Sequence, residues 1–553
     1  MNRSKFKINL DFWNIMIILC FVIFIIFLVY PLSSLIFNSF KDPSNDAFTL
    51  ANYKTFFEKK YYYQSLFNSF SITILVTIFA VLLGVPLAYL MTTLKIKGKF
   101  ILEMLIIISV LSPPFIGAYS WILLLGRSGV VSNFFRENFN IQTPSIYGFA
   151  GILIVFTFKL FPFIYLYVSG ALKKMDSSLI EAAESLGTTG IRKVYTLILP
   201  LILPTILAGA LLVFMNALAD FGTPMLIGEG FSTMPVLIYS EFISEVGGNA
   251  YFAAALSSIM IVITAVIFIG QKYIVNKKSF EMSSLRPIKP VKIKGTKNLL
   301  AHVFIYLTVA IAIIPQVTVI YTSFLKTQGS IFVKGYSFDS YITVMDRMGD
   351  SILNTFFYGV IAIIIIIILG MLISYVSVRR NNFFTSLLDT IAMFPYIIPG
   401  SVLGITLLVT FNDQPLMLSG SAAILIVAYV IRRLPYTMRS SAAIIYQLSP
   451  SLEEASISLG YSQFKTFINI TAKLMMPGVL AGALLSWITV INELSSSIIL
   501  YTGSTRTMSV AIYSEVIRAS YGTAAALSTI LTITTIITLL IFFKFSKSKE
   551  ISI

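Results

Sequence analysis

The sequence predicts an all-α polytopic membrane protein with about twelve transmembrane helices, and three observations carry that prediction. Residues 66–94, 298–325, 355–378 and 519–543 contain no Asp, Glu, Lys or Arg. Each run exceeds the roughly 20 residues that cross about 30 Å of hydrocarbon as a helix. The 553 residues are 57% hydrophobic and only 12% charged, where soluble domains carry about 25% charged residues. The chain also repeats itself at a nearly constant offset. Backbone groups in lipid must be paired internally, and apolar runs this long mean helices rather than barrel strands.

In chain order the spans are expected near 13–32, 66–92, 102–124, 146–170, 198–219 and 250–271. A second set follows near 299–322, 352–377, 385–410, 418–434, 474–492 and 521–543. The first is read as uncleaved, because MNRSKFKINLDFWN leads into an apolar stretch that ends in VYPLSSLIF rather than at a small-residue cleavage site. Cys20, the one cysteine, lies inside it and reads as a small hydrophobe. Pro113–Pro114 and Pro395–Pro399 are placed to kink helices, though their registers differ.

The repeat links the two sets. NSFSITILVTIFAVLLGVPLAYL from Asn68 pairs with NTFFYGVIAIIIIIILGMLISYV from Asn354 at an offset of 286, matching Gly84 to Gly370 and Tyr89 to Tyr375. LILPTILAGALLVF from Leu201 pairs with LMMPGVLAGALLSW from Leu474 at an offset of 273, which also matches Pro162 to Pro435, Pro204 to Pro477 and Asp220 to Glu493. The 13-residue difference is expected in external loops, where added length costs little. Copies of the same topology are parallel repeats. The domains are therefore residues 1–271 and 299–553, joined by a basic linker at 272–298.

The net charge of +16 is distributed as topology, not as a nucleic-acid surface. Lys95, Lys97 and Lys99, then Lys173, Lys174, Arg192 and Lys193, then the linker, Arg379 and Arg380, Arg432, Arg433 and Arg439, and finally Lys544, Lys547 and Lys549 fall in alternate loops. That alternation is what cytoplasmic faces show, and it places both termini in the cytoplasm. The other loops are acidic or mixed, with Asp220, Glu229, Glu241 and Glu245 in one and Asp339, Asp346, Arg347 and Asp350 in another. Lys159, Arg432 and Arg433 are expected to snorkel to headgroups. Asp220 and Glu493 occupy equivalent places after the fifth and eleventh spans. They are candidates for a functional role, against ordinary loop solvation.

Two short polar stretches stand out from this apolar background: SLIEAAESLG ending at Gly187 and SLEEASISLG ending at Gly460. Ser178 with Glu181, and Ser451 with Glu454, have the spacing of a capping box. Gly187 and Gly460 sit where a helix ends in a left-handed residue. Each helix has two to three turns, too few to be stable alone in water. Leu179, Ala182, Ala183 and Leu186 form one apolar side, and Leu452, Ala455, Ser456 and Leu459 the other. Small residues there let another protein's backbone come close. An interfacial helix resting on lipid would carry larger residues and more Lys or Arg.

EAAESLG followed by LILP resembles the EAA loop of the permease subunits of binding-protein-dependent ABC importers. The likeness covers nearly the whole chain, as two fused permease domains of the type I ABC importer permease fold. RRLPYTMRSSAAIIYQLSPSLEEASISLG and LADFGTPMLIGEGFSTMPVLIYSEF are especially similar to the iron(III) transport type. The resemblance implies an ATP-driven importer in the bacterial cytoplasmic (inner) membrane. One copy of this chain would work with two copies of an ABC ATPase subunit and an extracytoplasmic substrate-binding protein, with Asp220 and Glu493 as candidates for an outer gate or a contact to that binding protein. It implies that Ser178, Glu181, Ala182, Ala183 and Gly187, and Ser451, Glu454, Ala455, Ser456 and Gly460, form coupling helices seated on the ATPases. Ser456 departs from the family's third position, and Lys473 stands where the first half has Pro200. Related permeases carry thiamine, polyamines or 2-aminoethylphosphonate, so the substrate stays open.

No GxxxxGK[ST] stretch is present, so ATP and Mg are expected in the partner subunits and no cofactor on this chain. His302 is the only histidine and gives no basis for a metal site. A secondary transporter would want a coupling-ion carboxylate in mid-membrane, and a membrane enzyme such as a glycosyltransferase would want a cluster of acidic or histidine residues in one loop. Neither pattern is seen.

Overall fold

A computed structural model describes residues 11–42, 45–110, 114–244, 249–277, 286, 288, 290–329 and 331–545. The first half contains α1 (Phe12–Ser39), α2 (Ala51–Glu58), α3 (Lys60–Thr93), α4 (Lys99–Val110), α5 (Pro114–Leu125), α6 (Val130–Phe139) and α7 (Phe149–Lys173). It continues with α8 (Ser177–Ser185), α9 (Gly190–Ala219), α10 (Gly222–Ile227), α11 (Met234–Ile243) and α12 (Ala250–Lys277). The second half contains α13 (Thr296–Ser323), the strands β1 (Leu325–Gln328) and β2 (Ile331–Tyr336), α14 (Asp339–Arg379), α15 (Phe383–Tyr396), α16 (Gly400–Thr410) and α17 (Ala422–Gln447). It ends with α18 (Ser451–Ser458), α19 (Gln463–Ile491), α20 (Ser497–Leu500), α21 (Met508–Ile517) and α22 (Tyr521–Phe545).

Among the described residues nine helices are long and apolar enough to cross a membrane: α1, α3, α7, α9, α12, α13, α14, α19 and α22. The remaining expected spans are of a different kind. α15 and α16 form one span bent by 107°. The break falls at Pro399, which leaves the helical region (ψ 140°) and disfavours helix at the residue before it. α4 and α5 flank residues 111–113, so the proposed Pro113 kink lies outside the described residues. α17 begins at Ala422, four residues into the expected span 418–434, and runs on to Gln447, with Arg432, Arg433 and Arg439 within it.

α14 shows how sequence period becomes a membrane helix. Its 41 residues rise about 60 Å at 1.5 Å each. Leu353, Phe357, Val360, Ile364 and Ile368 are exposed along one stripe, while Ala362, Ile366 and Ile373 are buried. The i, i+3, i+4 spacing puts each set on its own face. An uninterrupted apolar stripe facing outward is what a lipid-bathed helix presents.

The chain divides into two compact units that do not follow the sequence halves. One comprises Met1–Thr49, Met348–Val510 and Ile537–Lys547; the other comprises Leu50–Arg347, Ala511–Ile536 and Ser548–Ile553. α1 therefore belongs with second-half helices, and α13 with first-half helices. In the second unit Ile72, Val76 and Leu87 of α3 pack with Ile152, Phe156 and Ile164 of α7, and Ile305 and Val309 of α13 join that core. In the first unit small and hydroxylated residues bring α17 and α19 together. Thr437 and Ser486 hydroxyls lie 2.8 Å apart, and Ser440 Oγ donates to Gly478 O at 2.6 Å. The one departure from an all-α chain among the described residues is the antiparallel β1–β2 hairpin.

Candidate functional site

The two glycine-terminated helices form as α8 and α18, and their ends match bond for bond. Gly187 (φ +81°) donates to Glu184 O at 2.9 Å, and Thr188 N–H donates to Ala183 O at 2.9 Å. Gly460 (φ +89°) donates to Ile457 O at 2.9 Å, and Tyr461 N–H donates to Ser456 O at 3.2 Å. Both are Schellman ends, which need a left-handed residue that glycine supplies without a Cβ clash.

Their starts differ from expectation. Neither Ser178 with Glu181 nor Ser451 with Glu454 forms a capping box. Asp176 Oδ1 accepts from Ser178 N–H at 2.9 Å, and Ser449 Oγ accepts from Ser451 N–H at 3.3 Å. Asp176 and Ser449 are themselves related by 273. Asp176 is the N-cap of α8, and Ser449 stands just before Pro450, the N-cap of α18; in each a short side chain two residues upstream of the expected serine reaches its N–H first. Leu179, Glu181, Ala182 and Leu186 of α8 are exposed, as are Leu452, Glu454, Ala455 and Leu459 of α18. Leu186 and Leu459, at 85% and 81% exposure, are the extremes. Ala183 is half-buried, whereas Ser456 is buried, with its hydroxyl 2.9 Å from that of Thr466. Ser456 therefore belongs to the inner side of α18, and its departure from Ala does not reach the exposed face.

Asp220 and Glu493 are not solvated loop residues. Lys159 Nζ lies 2.5 Å from Asp220 Oδ2, both side chains being largely buried. Arg432 and Arg433 both pair with Glu493, which is almost wholly buried. The three cations do not snorkel; they turn inward, because a buried carboxylate without a partner costs several kcal/mol, by an order-of-magnitude estimate. Lys159 and Arg432 are also related by 273, while Arg433 falls on Leu160. That shared offset was a readable signal for the pairing. Each carboxylate also caps the next short helix. Asp220 Oδ1 accepts from Thr223 N–H at 2.9 Å, and Glu493 Oε1 accepts from Ser496 N–H at 3.2 Å. Gly400, at the start of α16, admits Arg432. A Cβ there would overlap the guanidinium and stand 2.5 Å from Ser495 Cβ.

One further duplicated feature was invisible in the sequence. α9 and α19 each contain a π-helical turn, at Val194–Ile198 and Phe467–Thr471, related by 273. Each lies near the start of the helix that follows the short polar helix of its repeat, and such turns often mark functional sites.

The family model for the binding-protein-dependent transport system inner membrane component matches residues 80–279 and again 366–548. The ferric transport system permease protein FbpB of Actinobacillus pleuropneumoniae is 28% identical over 529 residues, spanning 94% of this chain and 76% of that protein. The Fe(3+)-transport system permease protein FbpB 2 of Haemophilus influenzae is 24% identical over 83% of this chain and 85% of its own length. The spermidine/putrescine transport system permease protein PotB of the same organism is 30% identical over 47% of this chain and 93% of its own length. Among solved structures, a chain of a bacterial ABC transporter involved in the import of the acidic polysaccharide alginate aligns with a TM-score of 0.42 at 19% identity, over 48% of this chain and 95% of that one. The two separate matches fall on the two halves that the offsets define. This chain belongs to the binding-protein-dependent transport system inner membrane components, the permeases of ABC importers, with two such domains in one polypeptide.

Proposed function

We propose that this chain imports iron(III), delivered by an extracytoplasmic binding protein and driven by two ATPase subunits that seat α8 and α18. The observation that carries the coupling reading is the duplicated Schellman-ended helix with its outermost leucine, Leu186 or Leu459, left bare. A two-turn helix held in place yet presenting leucine to water is built to be covered. ATP-driven closure of the ATPases would bring the two helices together and open the chain outward, and hydrolysis would reset it. Asp220 and Glu493, each fixing a short helix just after a span, would set the outer gate. The basic loops favour cytoplasmic termini in the inner membrane.

Iron(III) is favoured because relatives that span most of the chain are named for ferric transport; the polyamine relative spans about half of it. The test is uptake of radiolabelled iron(III) by proteoliposomes holding the permease, its ATPase and its binding protein. Uptake that requires ATP and survives excess spermidine, thiamine or 2-aminoethylphosphonate is the expected result. Uptake of one of those competitors without iron uptake would overturn the assignment.

A further inference from the structure

The two short helices are fastened to their units by different chemistry. In α18, Glu453 points inward, away from the exposed Glu454. Its Oε2 accepts from the Tyr375 hydroxyl at 2.8 Å, and its Oε1 accepts from Arg379 Nε at 3.0 Å. Arg379 also donates to Leu448 O at 2.9 Å, holding the residues that lead into α18. Both charged side chains of the pair are 14% exposed, so the pair is shielded from water and less screened than a surface one. Behind it Trp13 of α1, Tyr375 of α14 and Phe467 of α19 form an aromatic triad with centroids 4.3 to 5.1 Å apart.

Among the described residues the first repeat uses a different tie, with Lys193 Nζ of α9 lying 2.5 Å from Glu184 Oε1 of α8. Subtracting 273 from Glu453 gives Ile180, and subtracting 286 from Tyr375 and Arg379 gives Tyr89 and Thr93. Ile180 and Tyr89 pack against the apolar core of their unit. Thr93 turns its hydroxyl back to Tyr89 O at 2.7 Å. The start of α8 is held instead by a backbone bond, Ser177 N–H to Arg286 O of the linker, at 2.8 Å. A carboxylate gripped by a hydroxyl and a guanidinium fixes both distance and angle.

We propose that Glu453, with Arg379 and Tyr375, is a positioning group that locks α18 to the end of α14, so that the two coupling helices pass load into their repeats by different routes. α14 runs from this lock through its 41 residues, so a push on α18 is carried directly into the second repeat. α8 is tied through Glu184 to Lys193 of α9 instead, so the two ATPase contacts load different helices of their repeats. The inference rests on the coupling role proposed above, but the attachment itself is a property of this chain alone.

The test uses the full chain in nanodiscs, with Cys20 replaced and a nitroxide placed at Ser185 or Ser458, exposed positions related by 273. The label at 185 is the control for the label at 458. Glu453→Gln should free the label at 458 while leaving the label at 185 unchanged, and Tyr375→Phe should act in the same direction more weakly. With ATPase and binding protein added, Glu453→Gln should lower substrate moved per ATP by about tenfold, the shift expected from losing one charge-assisted hydrogen bond, while ATP hydrolysis persists. If Glu453→Gln does not fold, Tyr375→Phe decides. Variants that leave the label at 458 as in wild type, or that move both labels alike, would overturn the proposal. Failure of the ATPase to bind wild type would instead sink the coupling role and leave the mobility result standing.

Discussion

Glu493 has almost no contact with water, yet two guanidiniums close on it and the amide and hydroxyl of Ser496 bind its Oε1. Removing the carboxylate strands two buried cations, so Glu493→Ala should lower stability by about 3–5 kcal/mol. Replacing Arg432, Arg433 and Glu493 together by apolar residues of similar size should cost less than that single change. Asp220→Ala should be milder, because it frees one partly exposed lysine. Thermal unfolding in one detergent ranks the three, and a triple variant worse than Glu493→Ala would contradict the ion-pair account. Gly400→Ala presses a methyl into Arg432 and should cost about 1–3 kcal/mol, read the same way.

Elements in this chain are set by short-range chemistry that the sequence shows unevenly. The glycine ends of α8 and α18 were readable, because a left-handed residue after a helical run has few alternatives to Gly. Their starts were misread, because Ser178 and Ser451 fit the capping-box spacing while Asp176 and Ser449 stand closer to the amide that needs an acceptor. The π turns carry no residue signature and could not be foreseen. Gly187→Val and Gly460→Val force a β-branched residue to φ near +80° or +90°. Each should cost roughly 1–2 kcal/mol and unwind the last turn, seen as faster amide exchange at Leu186 and Leu459. A peptide of residues 174–190 should be unfolded in water by circular dichroism, since two turns cannot meet the nucleation cost. Stable helicity there would contradict the view that packing holds α8.

At the scale of the molecule, the offsets of 273 and 286 exposed the duplication and the equivalence of Asp220 with Glu493. They also held the pairing of Lys159 with Arg432, which the preference of long cations for headgroups concealed. The exchange of α1 and α13 between compact units was not legible. Every span is apolar on most faces, and nothing in an Ile- and Leu-rich stripe names its neighbour. The basic loops predict that reporter fusions at either terminus read as cytoplasmic, and an external reading at either end would break the topology.

The central claim is that α8 and α18 are where force from ATP hydrolysis enters the chain. Its most direct test is co-purification of the ATPase with the tagged chain from mildly solubilised membranes, comparing wild type with a Gly187→Asp, Gly460→Asp variant matched for expression. The account predicts that the ATPase accompanies wild type and is lost from the variant. Undiminished ATPase on a folded variant, or none on well-folded wild type, would contradict it.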